Sequence, residues 1–432
     1  MEVSLKNLPN QLEFVSVEKC RLCGSTDLSV VLDLPDTPFG DRYLPPGQGA
    51  EHANLIPLKI VQCAACNNFQ TSVVVNVNSM YEHYLSRPAP VNTILSAAYT
   101  RYAEHIDTYL NLNSKDLVVE IGSNDGFFAS HFARKGIRCI GVDPAQNLSQ
   151  IALDRGVQTI SSFFTTSISE DILAEFGTAK LIVSNMVLAN VPNLDNFMTG
   201  VKNLLAEDGI YTIETNYALD VVESLQLEVI NHEHITYFSV KSLSSFLEKF
   251  DLEIFLAKRV PSKSGALRCY VKHKGAKYQI DDSVLVAQSF ESDYGLFLPS
   301  SWKPLFESIE HGKVAIQKFF NKTRKSDVVG YGTSIGATTI LYALRAGQFL
   351  SALIDDDPFR QGLHSPGYAI PVVSREKIFA GPLEVKFCPI LAPRYVKQIL
   401  RKNESVVSAG VIFLRVWPFL EKLPNTQWLK ST

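Results

Sequence analysis

Short apolar runs that end in a glycine turn and feed a helical stretch recur along this chain, and they set the expected fold. Leu117-Val118-Val119-Glu120-Ile121 reads as a buried strand. It leads into Gly122-Ser123-Asn124-Asp125-Gly126 and then the apolar stretch FFASHFARKG. A second strand, Arg138-Cys139-Ile140-Gly141-Val142, ends in Asp143-Pro144. Apolar runs at 157–160, 181–184 and 210–213 then alternate with helical stretches, as a doubly wound parallel sheet requires. The runs starting at Leu252 and Leu267 are separated by a short turn containing Gly265, too short for a helical crossover. They are predicted to pair antiparallel and to close the sheet. Upstream, Leu95, Ala98, Tyr99, Tyr102, Ile106 and Tyr109 recur at helical spacing. Downstream, SWKPLFESIEHGKVAIQKFF predicts a linking helix. From Val328 the strand, glycine turn, helix pattern returns through Gly330-Tyr331-Gly332-Thr333-Ser334-Ile335-Gly336, and 352–354 gives the next strand, ending at Asp355. The expected class is α/β, divided at 1–80, 81–280, 281–326 (a helical linker) and 327–432 (a Rossmann-like unit).

Charge and hydropathy narrow the function classes. The formal net charge is −3 and no block of Lys and Arg appears, so no footprint for nucleic acid is visible. The opening MEVSLKNLPN lacks the basic and apolar regions of a signal peptide, and no apolar run approaches the ~18 residues that span a bilayer. A cytoplasmic protein without membrane contact is expected, with a monomer as the default state.

The seven cysteines therefore call for a use other than disulfides. Cys20-Arg-Leu-Cys23 and Cys63-Ala-Ala-Cys66 are two CxxC pairs, and Gly24 suits the turn after the first. Two such knuckles supply four thiolates to one tetrahedral zinc. The 39 residues between Cys23 and Cys63 exceed the roughly 15–20 of a plain ribbon. That Pro- and Gly-rich insert is expected to wrap the metal-stapled core. Cys139, Cys269 and Cys388 lie in apolar stretches and read as core residues.

Strand, glycine turn, helix, strand, acid is the logic of nucleotide binding. ExGSNDG lacks the GxGxxG spacing that seats a pyrophosphate, and with Glu120 near the turn it resembles the S-adenosylmethionine (SAM) loop of class I methyltransferases. Glu120, Gly122, Ser123, Asn124, Asp125 and Gly126, with Asp143 and Pro144 for the ribose, are then the expected cofactor residues. Asn185, Met186 and Asn190 fall at the carboxyl end of a later strand, where such sheets bind ligands. GYGTSIG is an imperfect dinucleotide fingerprint and reads as Rossmann-like packing rather than a nicotinamide site. The polar stretch DDDPFRQGLHSPGYAIPVV suits contact with a ligand facing the neighbouring domain.

The segment NHEHITYF, residues 231–238, sets His232 and His234 about Glu233. Metal ligation is the poorer reading, because an HExxH site needs a second histidine where Thr236 stands. A base with an orienting acid is the richer one, and polar residues of no special role the plainest. His232 points the opposite way in an extended segment and is expected to tolerate substitution.

The order CxxC…CxxC, EIGSNDG, VPN, HEHITYFS, GYG and QGLHSPGYAIPV resembles the three-domain C-methyltransferases of deoxysugar biosynthesis, from about Cys20 to Val373. The resemblance implies a zinc module, a SAM domain, a C-terminal Rossmann-like domain and C3 methylation of a nucleotide-linked 4-keto sugar. It casts His234 as the base, Glu233 as its orienting partner and Tyr84 as a hydrogen-bond donor. Asn190, Met186 and Asn231 depart from the family pattern in the same loops, which leaves an altered acceptor or position open. On this reading the expected substrate contacts are Tyr237, Gly332, Thr333, Ser334, Arg360, Gln361 and Ser365. An O- or N-methyltransferase and a non-catalytic zinc-containing binding protein are the rival readings.

Overall fold

The computed structural model describes residues 13–47, 54–76, 81, 93–262, 265–380 and 384–423. Tyr84 lies outside the described residues.

The N-terminal unit is antiparallel. Strand β1 (Phe14–Ser16) pairs with β5 (Val73–Val75), while β2 (Leu28–Pro38), β3 (Leu55–Cys63) and β4 (Phe69–Thr71) form a meander. Among the described residues, the insert between the cysteine pairs makes the β2–β3 hairpin rather than wrapping the metal core, and the stretch after β2 reaches the C-terminal unit. There Tyr43 Oη donates to the Thr333 carbonyl at 2.8 Å, and Asp41 pairs with Arg360 at 2.7 Å.

The central sheet arises from the apolar runs noted above: β6 (Leu117–Ile121), β7 (Arg138–Val142), β8 (Gln158–Ile160), β9 (Ala179–Asn185) and β10 (Leu205–Thr215). After the short β11 (Thr236–Tyr237) come β12 (Leu252–Val260) and β13 (Ala266–His273). Their order is β12-β13-β10-β9-β6-β7-β8, with β13 antiparallel to both neighbours. This is the class I methyltransferase sheet, closed by the expected hairpin. Strand β6 is buried along its whole length, because helices cover both faces.

Strand β11 belongs to neither hairpin nor central sheet. It pairs antiparallel with β4, Thr236 opposite Gln70 and Tyr237 opposite Phe69, so the NHEHITYF segment completes the sheet of the N-terminal unit.

The linker folds as helices Ser283–Asp293 and Lys303–Phe320. Trp302, fully buried, packs on Phe69 and Tyr237 at ring separations of 5.4 and 6.2 Å. Glu291, also fully buried, accepts hydrogen bonds from the Tyr217 hydroxyl at 2.8 Å and from Val240 N and Lys241 N. It thereby satisfies orphan donors at the start of helix Val240–Glu248.

The C-terminal unit stacks β14 (Val329–Tyr331), β15 (Ala352–Ile354), β16 (Val372–Val373), β17 (Phe387–Ile390), β18 (Ile412–Arg415) and β19 (Glu421–Lys422) in the order β16-β15-β14-β17-β18-β19. Only β19 is antiparallel, a Rossmann-like arrangement. The glycine turn serves packing: a Cβ on Gly336 would meet the Glu228 carbonyl oxygen at 2.2 Å. Segment Leu227–Val229 of the central unit thus lies against the start of helix Ile335–Ala343, where Thr339 Oγ1 donates to the Ile230 carbonyl at 2.6 Å. Among the described residues, no helix is long and apolar enough to cross a membrane.

Candidate active site and metal centre

The two CxxC turns fold alike. Cys20 N donates to Ser25 O and Gly24 N to Cys20 O; Cys63 N donates to Asn68 O and Asn67 N to Cys63 O. The matched turns face each other, with Cys20 Sγ 3.4 Å from Cys66 Sγ and Cys23 Sγ 3.6 Å from Cys63 Sγ. All four sulfurs lie within 4.8 Å of one another. A tetrahedral zinc with bonds of about 2.3 Å demands sulfurs about 3.8 Å apart, so the donor set fits the ion with little adjustment. Cys66 donating to Cys20 favours the Cys20 thiolate, pulling it down to about 5.

At the carboxyl ends of β6 and β7, the glycine turn folds over Glu120, whose buried carboxylate accepts from Ala129 N at 3.0 Å. Burial holds that carboxyl well above its usual range. Asp143 accepts from Asn124 N and Ala145 N, both at 2.8 Å, and burial raises its pKa too. A carboxylate keeps lone pairs beyond those two bonds, so ribose hydroxyls can still be received. Gly122 adopts φ +73°, and a Cβ there would meet Val187 Cγ2 at 2.3 Å, so both conformation and space demand glycine. Asp125 is also held within the loop: its carboxylate pairs with Arg155 at 2.8 Å and accepts from Phe127 N, so it braces the turn.

Beside this turn, polar groups stand ready. Ser184 pairs with Ile121, which sets Asn185 beside Gly122. Both side-chain polar atoms of Asn185 are buried without a partner, as are Ser123 Oγ and Asn190 Oδ1. Groups so placed cost stability unless something supplies the missing bonds, and a polar cofactor and substrate would. Met186 adopts φ +58°, a conformation that asparagine tolerates better than methionine.

The NHEHITYF segment is held through backbone. His234 Nδ1 lies 2.6 Å from the Val229 carbonyl, which can only accept, so Nδ1 carries a proton and the lone pair of the neutral ring is on Nε2. Asn231 Oδ1 accepts from Glu233 N and His234 N, a side-chain turn that shapes the loop. The group on His234 Nδ1 is the Val229 carbonyl, and Asn231, itself buried, braces the segment. Ile235 N donates to Ala189 O at 2.8 Å, which ties this loop to the one carrying Asn190. Tyr81, absent from the expected residues, has its hydroxyl 3.5 Å from Asn190 Nδ2; burial, then the Glu233 carboxylate, raises its pKa. Its only mark in the sequence was proximity to Tyr84.

The expected substrate contacts divide. Tyr237 is fully buried with its hydroxyl towards Val229 O, a core residue. Arg360 and Thr333 are spent internally, on Asp41 and on Asp355 respectively, and Ser365 accepts from Ile370 N while almost fully buried. Gly332 packs closely on Ala392. Gln361 donates to Asp355 O from a half-buried position, and Ser334 is exposed.

Models of known families match along this chain in three consecutive blocks. Residues 20–81 match the "Putative zinc binding domain", 94–256 the "Methyltransferase domain" and 261–418 the "C-methyltransferase C-terminal domain". C-methyltransferase NovU of Streptomyces niveus is 27% identical over 401 residues, spanning 92% of this chain and 95% of that one. The chain carries, in order, the three domains of a SAM-dependent C-methyltransferase. Solved structures similar to it include a SAM-dependent methyltransferase from Clostridium acetobutylicum (13% identity, 41% of this chain and 91% of that chain, TM-score 0.32). Another is the magnesium protoporphyrin IX methyltransferase of Synechocystis with bound SAH (10% identity, 46% and 93%, TM-score 0.33).

As a C-methyltransferase the chain uses SAM and carries zinc, and two measurable consequences follow from the geometry. Asp143→Ala removes a charged acceptor and two backbone anchors of the turn, so SAM affinity is expected to weaken by roughly 1.5–3 kcal/mol. Unchanged affinity by calorimetry would move the ribose elsewhere. His232 is also not the tolerant position expected. It is buried, its Nε2 donates to the Pro57 carbonyl at 3.2 Å, and burial pushes its pKa down to about 4 from the ordinary 6.5. Between those values the unfolded chain binds the extra proton, so stability rises with pH across that window; the contribution is complete above about 6.5 and fully lost below about 4. The full difference is on the order of 3 kcal/mol. His232→Gln should flatten this part of the pH dependence in denaturant melts; an unaltered profile would remove His232 as its source.

Proposed function

We propose that this C-methyltransferase acts on a nucleotide-linked 4-keto sugar, methylating the carbon next to the ketone. The observation that supports the reading is the Val229 carbonyl on His234 Nδ1: it keeps that nitrogen protonated, so the neutral ring bears its lone pair on Nε2, the atom that would accept the proton. A proton alpha to a ketone is within reach of a neutral imidazole when the developing enolate oxygen finds donors. Tyr81, and Tyr84 outside the described residues, are the hydroxyls that suit that task; the Asn190 amide, with its unpartnered Oδ1, offers a sugar hydroxyl an acceptor. SAM supplies the electrophilic methyl. Glu233, buried beside His234, favours the imidazolium that forms once Nε2 has taken the proton.

The experiment is to incubate the protein with methyl-labelled SAM and a panel of dTDP-, GDP- and CDP-linked 4-keto sugars. Label on carbon is the expected result, with solvent deuterium entering the same position of the recovered, unmethylated sugar where reprotonation competes with methyl transfer. Label found only on oxygen or nitrogen of an acceptor would replace this reading by one in which His234 deprotonates a heteroatom.

A further inference from the structure

We infer that Arg21, the residue inside the first cysteine knuckle, is a positioning residue that joins the metal centre to the loops carrying Asn190 and His234. Arg21 follows Cys20 directly, so its backbone is fixed by whatever the four sulfurs hold, and its N–H is further tied to Gln70 Oε1 at 2.9 Å. Its side chain leaves the knuckle and crosses to the central unit. One guanidinium nitrogen donates to the Val191 and Pro192 carbonyls, the latter at 3.0 Å, and Nε donates to Thr236 Oγ1 at 3.1 Å.

The location of those acceptors makes the contact more than packing. Val191 and Pro192 follow Asn190 directly, and Thr236 lies two residues beyond His234. The two loops already hold each other through Ile235 N and Ala189 O. What that bond leaves free is their placement as a pair relative to the zinc unit. The β4–β11 pairing limits sliding along the strand, and Arg21 pins the Asn190 side of the same assembly. From the other flank, Leu227–Val229 packs on the C-terminal unit and presents the carbonyl that fixes His234. Both faces of the His234 loop are thus set by a flanking unit; on the metal side Arg21 does so beside the bond from His232 to the Pro57 carbonyl. Arginine suits the task because its planar fork satisfies separated acceptors at once, whereas lysine brings a single point of donation.

The inference rests on His234 being the base, and the tests separate the two ideas. Arg21→Ala is expected to retain zinc and to bind SAM as the parent does, while kcat falls roughly 10- to 100-fold because the base is displaced. Arg21→Lys should recover only part of that loss. Thr236→Val, which removes one acceptor and keeps the branched shape, should lose less in the same direction. A second readout needs no substrate: the Cε1–H proton resonance of His234 should shift or broaden in Arg21→Ala and Thr236→Val. Folded, zinc-loaded Arg21→Ala with parental kcat and an unmoved His234 resonance overturns the inference. If Arg21→Ala does not fold, Thr236→Val decides, and parental kcat with an unmoved resonance there overturns it equally. A shifted resonance alongside a fully active His234→Ala variant would keep Arg21 as the positioning residue while removing His234 as the base.

Discussion

Replacing Cys63 by serine should strip the protein of zinc and unfold the N-terminal unit while leaving SAM binding in place. Cys63 is fully buried at the end of β3, and its sulfur faces Cys23 at 3.6 Å. A serine hydroxyl is too weak a zinc ligand to stand in for a thiolate, so a closed four-sulfur site becomes a three-sulfur one. Structural zinc is worth roughly 10 kcal/mol or more near neutral pH, comparable with the whole stability of an ordinary domain at ~5–15 kcal/mol. A meander of three strands stapled at one end has little else to replace it. The SAM turn, by contrast, is built from β6, β7 and their own side chains, with Glu120 on Ala129 N and Asp143 on Asn124 N. Elemental analysis, a melting curve and SAM calorimetry check the three parts. Stoichiometric zinc with the parental melting temperature would mean that the sulfurs are not the metal site. Loss of SAM affinity together with zinc would mean that the units do not fold separately enough for this account.

Much of the fold could be read in advance because its signals are local. Apolar runs ending in glycine turns give strands in order, and the close spacing of β12 and β13 forces them antiparallel. The CxxC pairs announce themselves by spacing, and the sulfurs do converge. What stayed hidden is long-range or carried by backbone. Nothing in ITYF marks Thr236 and Tyr237 as a strand of the zinc sheet, since a two-residue strand has no periodicity. The Asp41–Arg360 pair joins residues far apart in sequence, so Arg360 resembled a free ligand contact until its partner was placed. Val229 acts through its carbonyl, which every residue possesses, and so leaves no sign in side-chain patterns. Glu233 is the acid visible beside His234 in the sequence, while the bond that sets Nδ1 comes from Val229. Asn231 and Asp125 show the same limit from the other side, since each has bonds that shape its own loop. Short polar side chains near a site are as often used to shape the loop as to meet the ligand, and only hydrogen-bond geometry separates the two.

His234→Ala should lower methyl transfer by a factor on the order of 10²–10⁴, the usual worth of a positioned general base. The direction follows from the tautomer. With Nδ1–H held on the Val229 carbonyl, Nε2 is the nitrogen that can take a proton, and alanine offers no substitute. Because His234 is only half-buried and donates that proton to a loop carbonyl, its loss should leave SAM affinity unchanged and cost little stability. Wash-in of solvent deuterium next to the ketone should disappear in parallel with methylation, since both need the same abstraction. Glu233→Gln should be milder, because Val229 still fixes the ring and only the charge that favours imidazolium is lost. Asn231→Ala offers the sharper contrast. It frees Glu233 N and His234 N from their shared acceptor, so the ring keeps its chemistry and loses its aim. That variant should show a reduced kcat with exchange still detectable, whereas His234→Ala should show neither. Exchange persisting at the parental rate in His234→Ala would place the base elsewhere on this rim, with the Tyr81 and Asn190 neighbourhood the next to test.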